Sequence, residues 1–218
     1  MSVKLAVFDC DGTLSDGQAG VVNAMDAAFA EIGAPAPPRA QVRRIVGLSL
    51  PQAIRQLAPE LTDSQQVAVV QAYKDAFRLS RENGSLREPL FDGMADLLRR
   101  LHTGGWTLGV ATGKSDRGLT STLAVHGLSQ LFATLHTADR HPSKPHPSML
   151  EAAMGDVLAS PETSCMVGDT VFDIQMAVSA GVRAIGVSWG YHEPAELLEA
   201  GAEAVAGDTA ELERLIDG

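Results

Sequence analysis

The sequence predicts an α/β fold in which a Rossmann-like parallel sheet forms the core and an α-helical cap subdomain is inserted into it. Three observations lead to this prediction. Short apolar runs alternate with amphipathic segments from residue 89 onward, which is typical of parallel strands joined by right-handed helical crossovers. An apolar run at 5–8 is followed by helical periodicity without a convincing strand over 17–85. Polar residues follow several of the apolar runs, where strands of an open sheet present ligand sites.

Composition restricts the possible classes of function. The chain has 218 residues and a formal net charge of -10, which disfavours non-specific binding to nucleic acid or to an anionic membrane, because both require a basic surface. Cys10 and Cys165 are the only cysteines, too few for a disulfide framework. No signal peptide is recognisable, and no run approaches the roughly 18 apolar residues of a membrane span. We therefore expect a cytoplasmic protein that binds neither nucleic acid nor membrane; the sequence does not indicate its oligomeric state.

The first strand is predicted over 5–8 and is followed directly by Asp9 and Asp11. Two unpaired carboxylates at the end of a buried strand would cost several kcal/mol or would become protonated. A bound divalent cation would offset that cost. Gly12 then allows a tight turn and a close approach of the backbone to a ligand.

Residues 17–85 are predicted to form the cap. Its helices are expected at 18–33, 39–46, 50–57 and 63–82. A loop rich in alanine and proline, 34–38, separates the first two helices. The chain is thus divided into a core, formed by 1–16 and 86–218, and a helical cap.

The rest of the core is predicted to alternate between helices and strands. Strands are expected at 106–111, 131–136, 163–168, 182–187 and near 203–206. Helices are expected at 93–103, 116–126, 147–158, 171–180, 194–200 and 208–216. Parallel strands end at one edge of the sheet, so the polar residues that follow four of them should lie together. These residues are Asp9 and Asp11, Thr112, Lys144, and Asp169 and Asp173.

This set of residues suits a hard cation and a phosphate. Carboxylates from two strand ends favour Mg²⁺ over Zn²⁺, because no Cys/His pair accompanies them. Thr112 and Gly113 lie at a strand-to-helix turn, where a hydroxyl and free N–H groups can hold phosphate oxygens. Lys144 would add a positive charge.

Simpler interpretations exist for most of these residues. A lone Asp or Thr at a strand end often caps a helix. Lys144 could be a solvated loop charge, and Asp173 could lie on the surface of its helix. His141 and His146, which lie beside prolines, are expected to belong to a polar loop rather than to a second metal site. Cys10 is expected to be a buried small side chain rather than a nucleophile. The catalytic interpretation is favoured because carboxylates follow two separate strands that are predicted to end at the same edge of the sheet.

Four motifs in this order resemble those of the haloacid dehalogenase-like hydrolases. They are Asp9-Cys10-Asp11-Gly12-Thr13, Thr112, Lys144, and Gly168-Asp169-Thr170-Val171-Phe172-Asp173. Their spacing covers nearly the whole chain, and the helical insertion resembles the small helical cap of that family. The resemblance implies an enzyme that depends on Mg²⁺ and acts on a small phosphorylated metabolite.

The resemblance also implies a role for each motif residue. Asp9 would attack phosphorus and form an aspartyl-phosphate. Asp11 would protonate the leaving oxygen and later deprotonate the hydrolytic water, with its side chain directed away from the metal. The metal would be held by Asp9, the backbone carbonyl of Asp11, and Asp169. Asp173 would orient a metal-bound water or Lys144.

Individual residues distinguish between branches of this family. Asp11 favours phosphoryl transfer, because the dehalogenases replace that second aspartate. The only cap lysine is Lys74 rather than one near Gly47, which disfavours a phosphonoacetaldehyde hydrolase. Leu50 stands where β-phosphoglucomutases carry an arginine, and Gly168-Asp169 is not their acidic pair. The phosphoglycolate phosphatase-like members are the most similar, with a Val-Gly-Leu stretch in the cap, Thr-Gly-Lys and Lys-Pro-His-Pro.

Substrate selection is expected in the cap loop that contains Arg43 and Gly47. An arginine there could pair with a substrate carboxylate, although a solvated helix face explains Arg43 equally well. The leading hypothesis is a phosphatase of small, phosphoglycolate-like monoesters. A β-phosphoglucomutase-like phosphotransferase, a pyrophosphatase and a non-catalytic binding module on the same fold stay open.

Overall fold

The computed structural model describes residues 2–218. Within this range the chain forms one parallel sheet of six strands, flanked by ten α-helices. The strands are β1 (Lys4–Phe8), β2 (Trp106–Thr112), β3 (Phe132–Thr137), β4 (Ser164–Gly168), β5 (Arg183–Val187) and β6 (Ala204–Ala206). Their order in the sheet is β3-β2-β1-β4-β5-β6, and every neighbouring pair is parallel. The predicted α/β fold with a parallel sheet is confirmed.

Four helices follow β1 directly along the chain. They are α1 (Gln18–Glu31), α2 (Arg39–Arg44), α3 (Leu50–Leu57) and α4 (Asp63–Glu82). The N-terminus of α4 is fixed by a capping box between Thr62 and Gln65, which satisfies otherwise free backbone groups. The four helices bury a hydrophobic cluster of their own, which includes Met25, Phe29 and Ile54. We propose that they form the inserted cap, bounded by 17–85.

Six further helices cover the two faces of the sheet. They are α5 (Met94–Thr103), α6 (Asp116–Val125), α7 (Ser148–Val157), α8 (Val171–Ser179), α9 (Pro194–Glu199) and α10 (Thr209–Asp217). In β1, Ala6 and Phe8 belong to the hydrophobic cluster beneath α5, α6 and α10. Leu5 and Val7 belong to the cluster beneath α7, α8 and α9. Successive strand residues face opposite sides of a sheet, so β1 is buried on both sides.

The cap contacts the core beside the carboxyl edge of the sheet. The backbone N–H of Ser49, after α2, donates to Ser143 Oγ at 2.8 Å. The Arg44 guanidinium makes two hydrogen bonds of 2.7 Å to Glu196 in α9. These contacts hold the α2–α3 loop over the strand ends. No helix within residues 2–218 is long and apolar enough to cross a membrane.

Candidate active site

Three buried carboxylates meet at the centre of the sheet's carboxyl edge. Asp9 follows β1, Asp169 follows β4, and Asp173 lies in the first turn of α8. One oxygen of each carboxylate lies within 4.8 Å of the others. β1 and β4 are hydrogen-bonded neighbours, so the residues just beyond their ends come together. The structure thus brings together the three carboxylates expected from the sequence.

Lys144 provides the positive charge nearest to this carboxylate cluster. Its side chain is fully buried, and its Nζ lies 2.5 Å from Asp173 Oδ1 and 2.9 Å from Asp9 Oδ1. Burial alone would lower the pKa of the Lys144 ammonium, but Asp173 and Asp9 outweigh burial and raise it. Lys144 is therefore buried in ion pairs with both carboxylates and does not lie on the surface.

A single ammonium does not balance three carboxylates. Desolvation by burial raises the pKa of Asp9 to about 6, although Lys144 acts in the opposite direction. Burial, reinforced by Asp173 and Asp9, also raises the pKa of Asp169 well above its usual value. Both carboxylate oxygens of Asp9 are buried and have no hydrogen-bond partner of normal geometry within residues 2–218. The 2.9 Å contact between Asp9 Oδ1 and Lys144 Nζ is an ion pair only. Orphaned carboxylate oxygens of this kind fit a hard divalent cation, which binds oxygen donors.

Asp169 and Asp173 are held by further hydrogen bonds. Thr13 Oγ1 donates to Asp169 Oδ1 at 2.8 Å, and the Tyr191 backbone N–H donates to Oδ2 at 2.9 Å. Asp173 Oδ2 accepts from the backbone N–H of Thr170 at 3.0 Å and from its hydroxyl at 2.7 Å. Asp173 thus caps its own helix with one oxygen and binds Lys144 with the other, so it combines the capping role with the ion pair.

Asp11 lies outside the carboxylate cluster. Its Oδ1 accepts a hydrogen bond from Lys114 Nζ at 2.7 Å. Gly12 has a φ of 89°, and a Cβ there would lie 2.2 Å from Asp169 Oδ2 and 2.5 Å from the Tyr191 ring. The close approach expected of Gly12 is therefore made to Asp169 and Tyr191. Gly12 does not line the ligand cleft described below, and its part in substrate binding stays a prediction.

The turn after β2 places Thr112 and Gly113 beside the cap. Thr112 is buried, and its Oγ1 accepts from the backbone N–H of Lys114 at 3.2 Å. A Cβ on Gly113 would lie 2.6 Å from the carbonyl oxygen of Leu48 and 2.7 Å from that of Gly47. Gly47 has a φ of 100°, which favours glycine. The two glycines allow the cap loop to lie directly against the core.

A cleft of about 600 Å³ separates the cap from the carboxyl edge of the sheet. Asp9, Asp11 and Thr112 line its core side. The cap side is formed mainly by residues 45–51 and by residues of α4. This volume is within the range of small-molecule sites. The basic residues that line the cleft are Lys74, Arg78 and Arg81 of α4, Lys114, and Arg117 of α6.

The structure does not bring Arg43 to this cleft. Val42 is the buried residue of α2, and Arg43 follows it by about 100° around the helix, on the exposed side. The neighbouring Arg44 is engaged with Glu196. Arg43 therefore does not line the cleft in this structure, and its contact with the substrate stays a prediction. The basic side chains of α4 were missed, although the spacing of Lys74, Arg78 and Arg81 already places them on one helix face.

Sequence reasoning also missed a buried ionic group beside Asp11. Lys114 Nζ lies 2.7 Å from both Asp11 Oδ1 and Glu88 Oε1. The only signal for it was the position of the lysine in Thr-Gly-Lys. Nothing in the sequence around Glu88 indicated that this residue reaches the site.

The histidines of the β3–α7 segment form a hydrogen-bonded chain away from the cleft. His141 Nδ1 lies 2.9 Å from Ser148 Oγ, and its Nε2 lies 2.9 Å from His136 Nδ1. His136 Nε2 lies 3.1 Å from Asp156. Burial lowers the pKa of both histidines. Every ring nitrogen of this pair has a protein partner, which agrees with a polar loop.

Fold and site together define a parallel α/β protein of the type that hydrolyses or transfers groups at a buried carboxylate cluster. A family model described as "Haloacid dehalogenase-like hydrolase" matches residues 6–187. The chain belongs to this family, and the predicted resemblance is confirmed.

Relatives and solved structures agree with this assignment. The chain is 37% identical to "Probable phosphatase IndB" of Dickeya dadantii, over 95% of this chain and 91% of that protein. It is 29% identical to a "Phosphoglycolate phosphatase" of Vibrio vulnificus, over 96% and 94% of the two chains. The structure of a haloacid dehalogenase-like family hydrolase from Streptococcus pneumoniae superposes with a TM-score of 0.85 at 25% identity, covering 98% of each chain.

Proposed function

We propose that the chain is a Mg²⁺-dependent phosphatase that hydrolyses a small phosphate monoester through an aspartyl-phosphate on Asp9. The observation that carries the proposal is the buried cluster of Asp9, Asp169 and Asp173, with Lys144 as its neighbouring cation. Asp9 of this cluster lines the cleft. The names of the two relatives, a phosphatase and a phosphoglycolate phosphatase, support the same reaction class.

The donor set suits a magnesium ion. Asp9, Asp169 and the backbone carbonyl of Asp11 would hold it, and all three offer oxygen. When bound, the ion would screen the negative charge of the phosphate as it approaches the Asp9 carboxylate. Asp173 would act indirectly, because it holds Lys144 and the N-terminus of α8.

The other roles in the proposed reaction fall to side chains of the protein. Asp9 is the nucleophile, and Lys144 fixes the position of its carboxylate and supplies charge to the transferring phosphate. The Thr112 hydroxyl accepts from Lys114 N–H, so its proton is available to a phosphate oxygen. Asp11 lines the cleft outside the carboxylate cluster, where it can give a proton to the leaving oxygen and then take one from water.

The cap wall favours a leaving group that carries a second negative charge. The ion pairs within residues 2–218 include Arg78 with Asp75, but they leave Lys74, Arg81 and Arg117 without a carboxylate partner. The buried Nε of Arg81 has no hydrogen-bond partner. A carboxylate or similar anion on the substrate would satisfy these cations, as in phosphoglycolate-like monoesters.

A substrate panel tests the proposal. Phosphoglycolate, sugar phosphates, nucleoside monophosphates and pyrophosphate are incubated with the purified protein, with and without Mg²⁺, and free phosphate is measured. We expect release from anionic monoesters only with the metal, and none from an Asp9→Asn variant. Full turnover by that variant would overturn the mechanism. Isomerised product without free phosphate would indicate a phosphotransferase, preference for pyrophosphate a pyrophosphatase, and no turnover across the panel a binding module.

A further inference from the structure

We propose that Lys114 is a positioning residue that holds the carboxylate of Asp11 and ties it to the linker through which the chain returns from the cap. The inference rests on the proposed phosphatase function, in which Asp11 transfers protons. It assigns Lys114 no contact with the reacting atoms.

The contacts of Lys114 leave little freedom to its ammonium group. Its side chain is 9% exposed, and Nζ donates at 2.7 Å both to Asp11 Oδ1 and to Glu88 Oε1. The Asp11 carboxylate is thereby held at one oxygen. Its other oxygen, Oδ2, accepts no hydrogen bond from residues 2–218. One oxygen of Asp11 is therefore fixed, and the other is left for a substrate or a water.

Glu88 is anchored independently of Lys114. It lies between α4 and α5, in the return linker 83–93. Its Oε2 accepts from Thr122 Oγ1 of α6 at 3.1 Å, and its carbonyl oxygen lies 2.7 Å from His126 Nε2. The Lys114 ammonium thus lies between the Asp11 carboxylate and Glu88, a linker residue that the core already holds.

The outgoing linker passes the same point. A Cβ on Gly17, the residue before α1, would lie 2.7 Å from Asp11 Oδ1 and 3.5 Å from Glu88 Oε1. The two linkers are joined by backbone hydrogen bonds, from Asp16 N–H to the Pro89 carbonyl at 2.8 Å and from Phe91 N–H to that of Leu14 at 3.1 Å. The two linkers are therefore held together at the point where they pass Asp11.

Positioning matters here because Asp11 acts in both chemical steps of the proposed reaction. A misplacement of about 1 Å in a catalytic group can cost on the order of 100-fold in rate. Without the ammonium, Asp11 and Glu88 would face each other as two poorly exposed carboxylates. Their repulsion would turn the Asp11 carboxylate away from its present position.

The test compares two substrates that differ in their need for a proton. An alkyl phosphate requires protonation of its leaving oxygen, whereas p-nitrophenyl phosphate releases a stable anion. We would measure kcat and KM for the alkyl phosphate, and the burst of nitrophenolate in rapid-mixing experiments, for wild type, Lys114→Met, Lys114→Arg, Glu88→Gln and Lys4→Met. Lys4 is exposed at the start of β1 and controls for loss of a lysine. Thermal unfolding of each variant monitors folding.

We expect Lys114→Met to lower kcat for the alkyl phosphate by about 100-fold with little change in KM, while the nitrophenolate burst changes far less. Lys114→Arg should restore part of the loss, because a guanidinium can still pair with both carboxylates. The loss of kcat in Glu88→Gln should lie between the losses in Lys114→Met and Lys114→Arg. Lys4→Met should have the same kcat as wild type.

Three results would overturn the proposal. Undiminished alkyl phosphate turnover in Lys114→Met would show that Asp11 does not need the lysine, although the phosphatase function would stand. Equal losses of burst and alkyl turnover would show that Lys114 supports the site as a whole. Failure of wild type and Lys4→Met to release phosphate from either substrate would remove the proposed function, and the positioning role with it.

Discussion

The two walls of the cleft differ in how deeply their charged side chains are buried. On the core wall, Asp9 lines the cleft and is buried together with Asp169 and Lys144, and strand ends or a short loop fix their backbones. On the cap wall, Lys74 and Arg78 are exposed side chains on the surface of α4. We propose that the core wall holds the reacting groups and that the cap wall selects the substrate.

The charged groups of the core wall are buried and lie in contact with one another. Burying an unpaired charge is costly, so each group depends on its neighbours. The Asp9 backbone N–H also donates to the Val167 carbonyl at 2.9 Å, which continues the β1–β4 ladder beyond Phe8. Lys74 and Arg78 on the cap wall are exposed, and exposed ion pairs contribute little energy. We therefore expect substitutions on the two walls to differ greatly in effect.

The largest expected effect is the loss of the nucleophile. Asp9→Asn should lower kcat by about 10⁴-fold or more, because the amide cannot attack phosphorus. Asp11→Asn should spare the first step with an activated aryl phosphate and stall hydrolysis of the intermediate. Rapid-mixing measurement of nitrophenolate release distinguishes the two variants. Equal loss of the first step in both would contradict the separate roles of the two carboxylates.

The second prediction concerns stability of the core wall. Lys144→Met should lower the free energy of unfolding by about 3–5 kcal/mol, since it leaves Asp9 and Asp173 buried without their counter-charge. Denaturant titration in the presence of a chelator measures the loss, with Lys4→Met as the control. Added Mg²⁺ should recover part of it, because a ligand of the folded state stabilises that state. A loss below about 1 kcal/mol would mean that the carboxylates are neutral without the lysine.

The position of the core-wall residues at strand ends explains why this wall could be predicted from the sequence. Asp9 and Asp169 each follow a short apolar run, and parallel strands end at one edge. The backbone therefore determines where their side chains lie, and the fold follows from the same alternation. Lys144 was placed by its position after β3, whereas its full burial came only from the tertiary structure.

The cap wall could not be predicted in the same way. Arg43 and Lys74 are both exposed helix residues, and only the packing of α2 and α4 decides which of them faces the cleft.

Two contacts outside the cap wall were equally hidden from the sequence. Glu88 reaches Lys114 from a linker with no periodicity. Gly12 allows the predicted close approach, with a φ of 89°, but the approach is made to Asp169 and Tyr191. Such choices depend on contacts between distant segments, which local patterns do not encode.

The third prediction tests substrate selection by α4. Lys74→Ala and Arg81→Ala should each raise KM for an anionic monoester by about 5- to 10-fold, equivalent to roughly 1–1.4 kcal/mol of lost binding. Turnover at saturation should change little, because the interaction is the same in ground state and transition state. p-Nitrophenyl phosphate, which lacks a second anion, provides the control substrate. An equal rise in KM for both substrates would show that the cations hold the phosphate itself.

The smallest expected effect is that of Arg43→Ala. The side chain is exposed and outside the cleft, so stability should stay within about 0.5 kcal/mol of wild type and KM should be unchanged. Arg44→Ala is the matched comparison, since it removes two 2.7 Å hydrogen bonds to Glu196 yet costs at most about 1 kcal/mol at an exposed site. A large rise in KM for Arg43→Ala alone would mean that α2 turns toward the cleft when substrate binds. The cap wall would then be assembled by closure, and the contrast with the preformed core wall would become sharper.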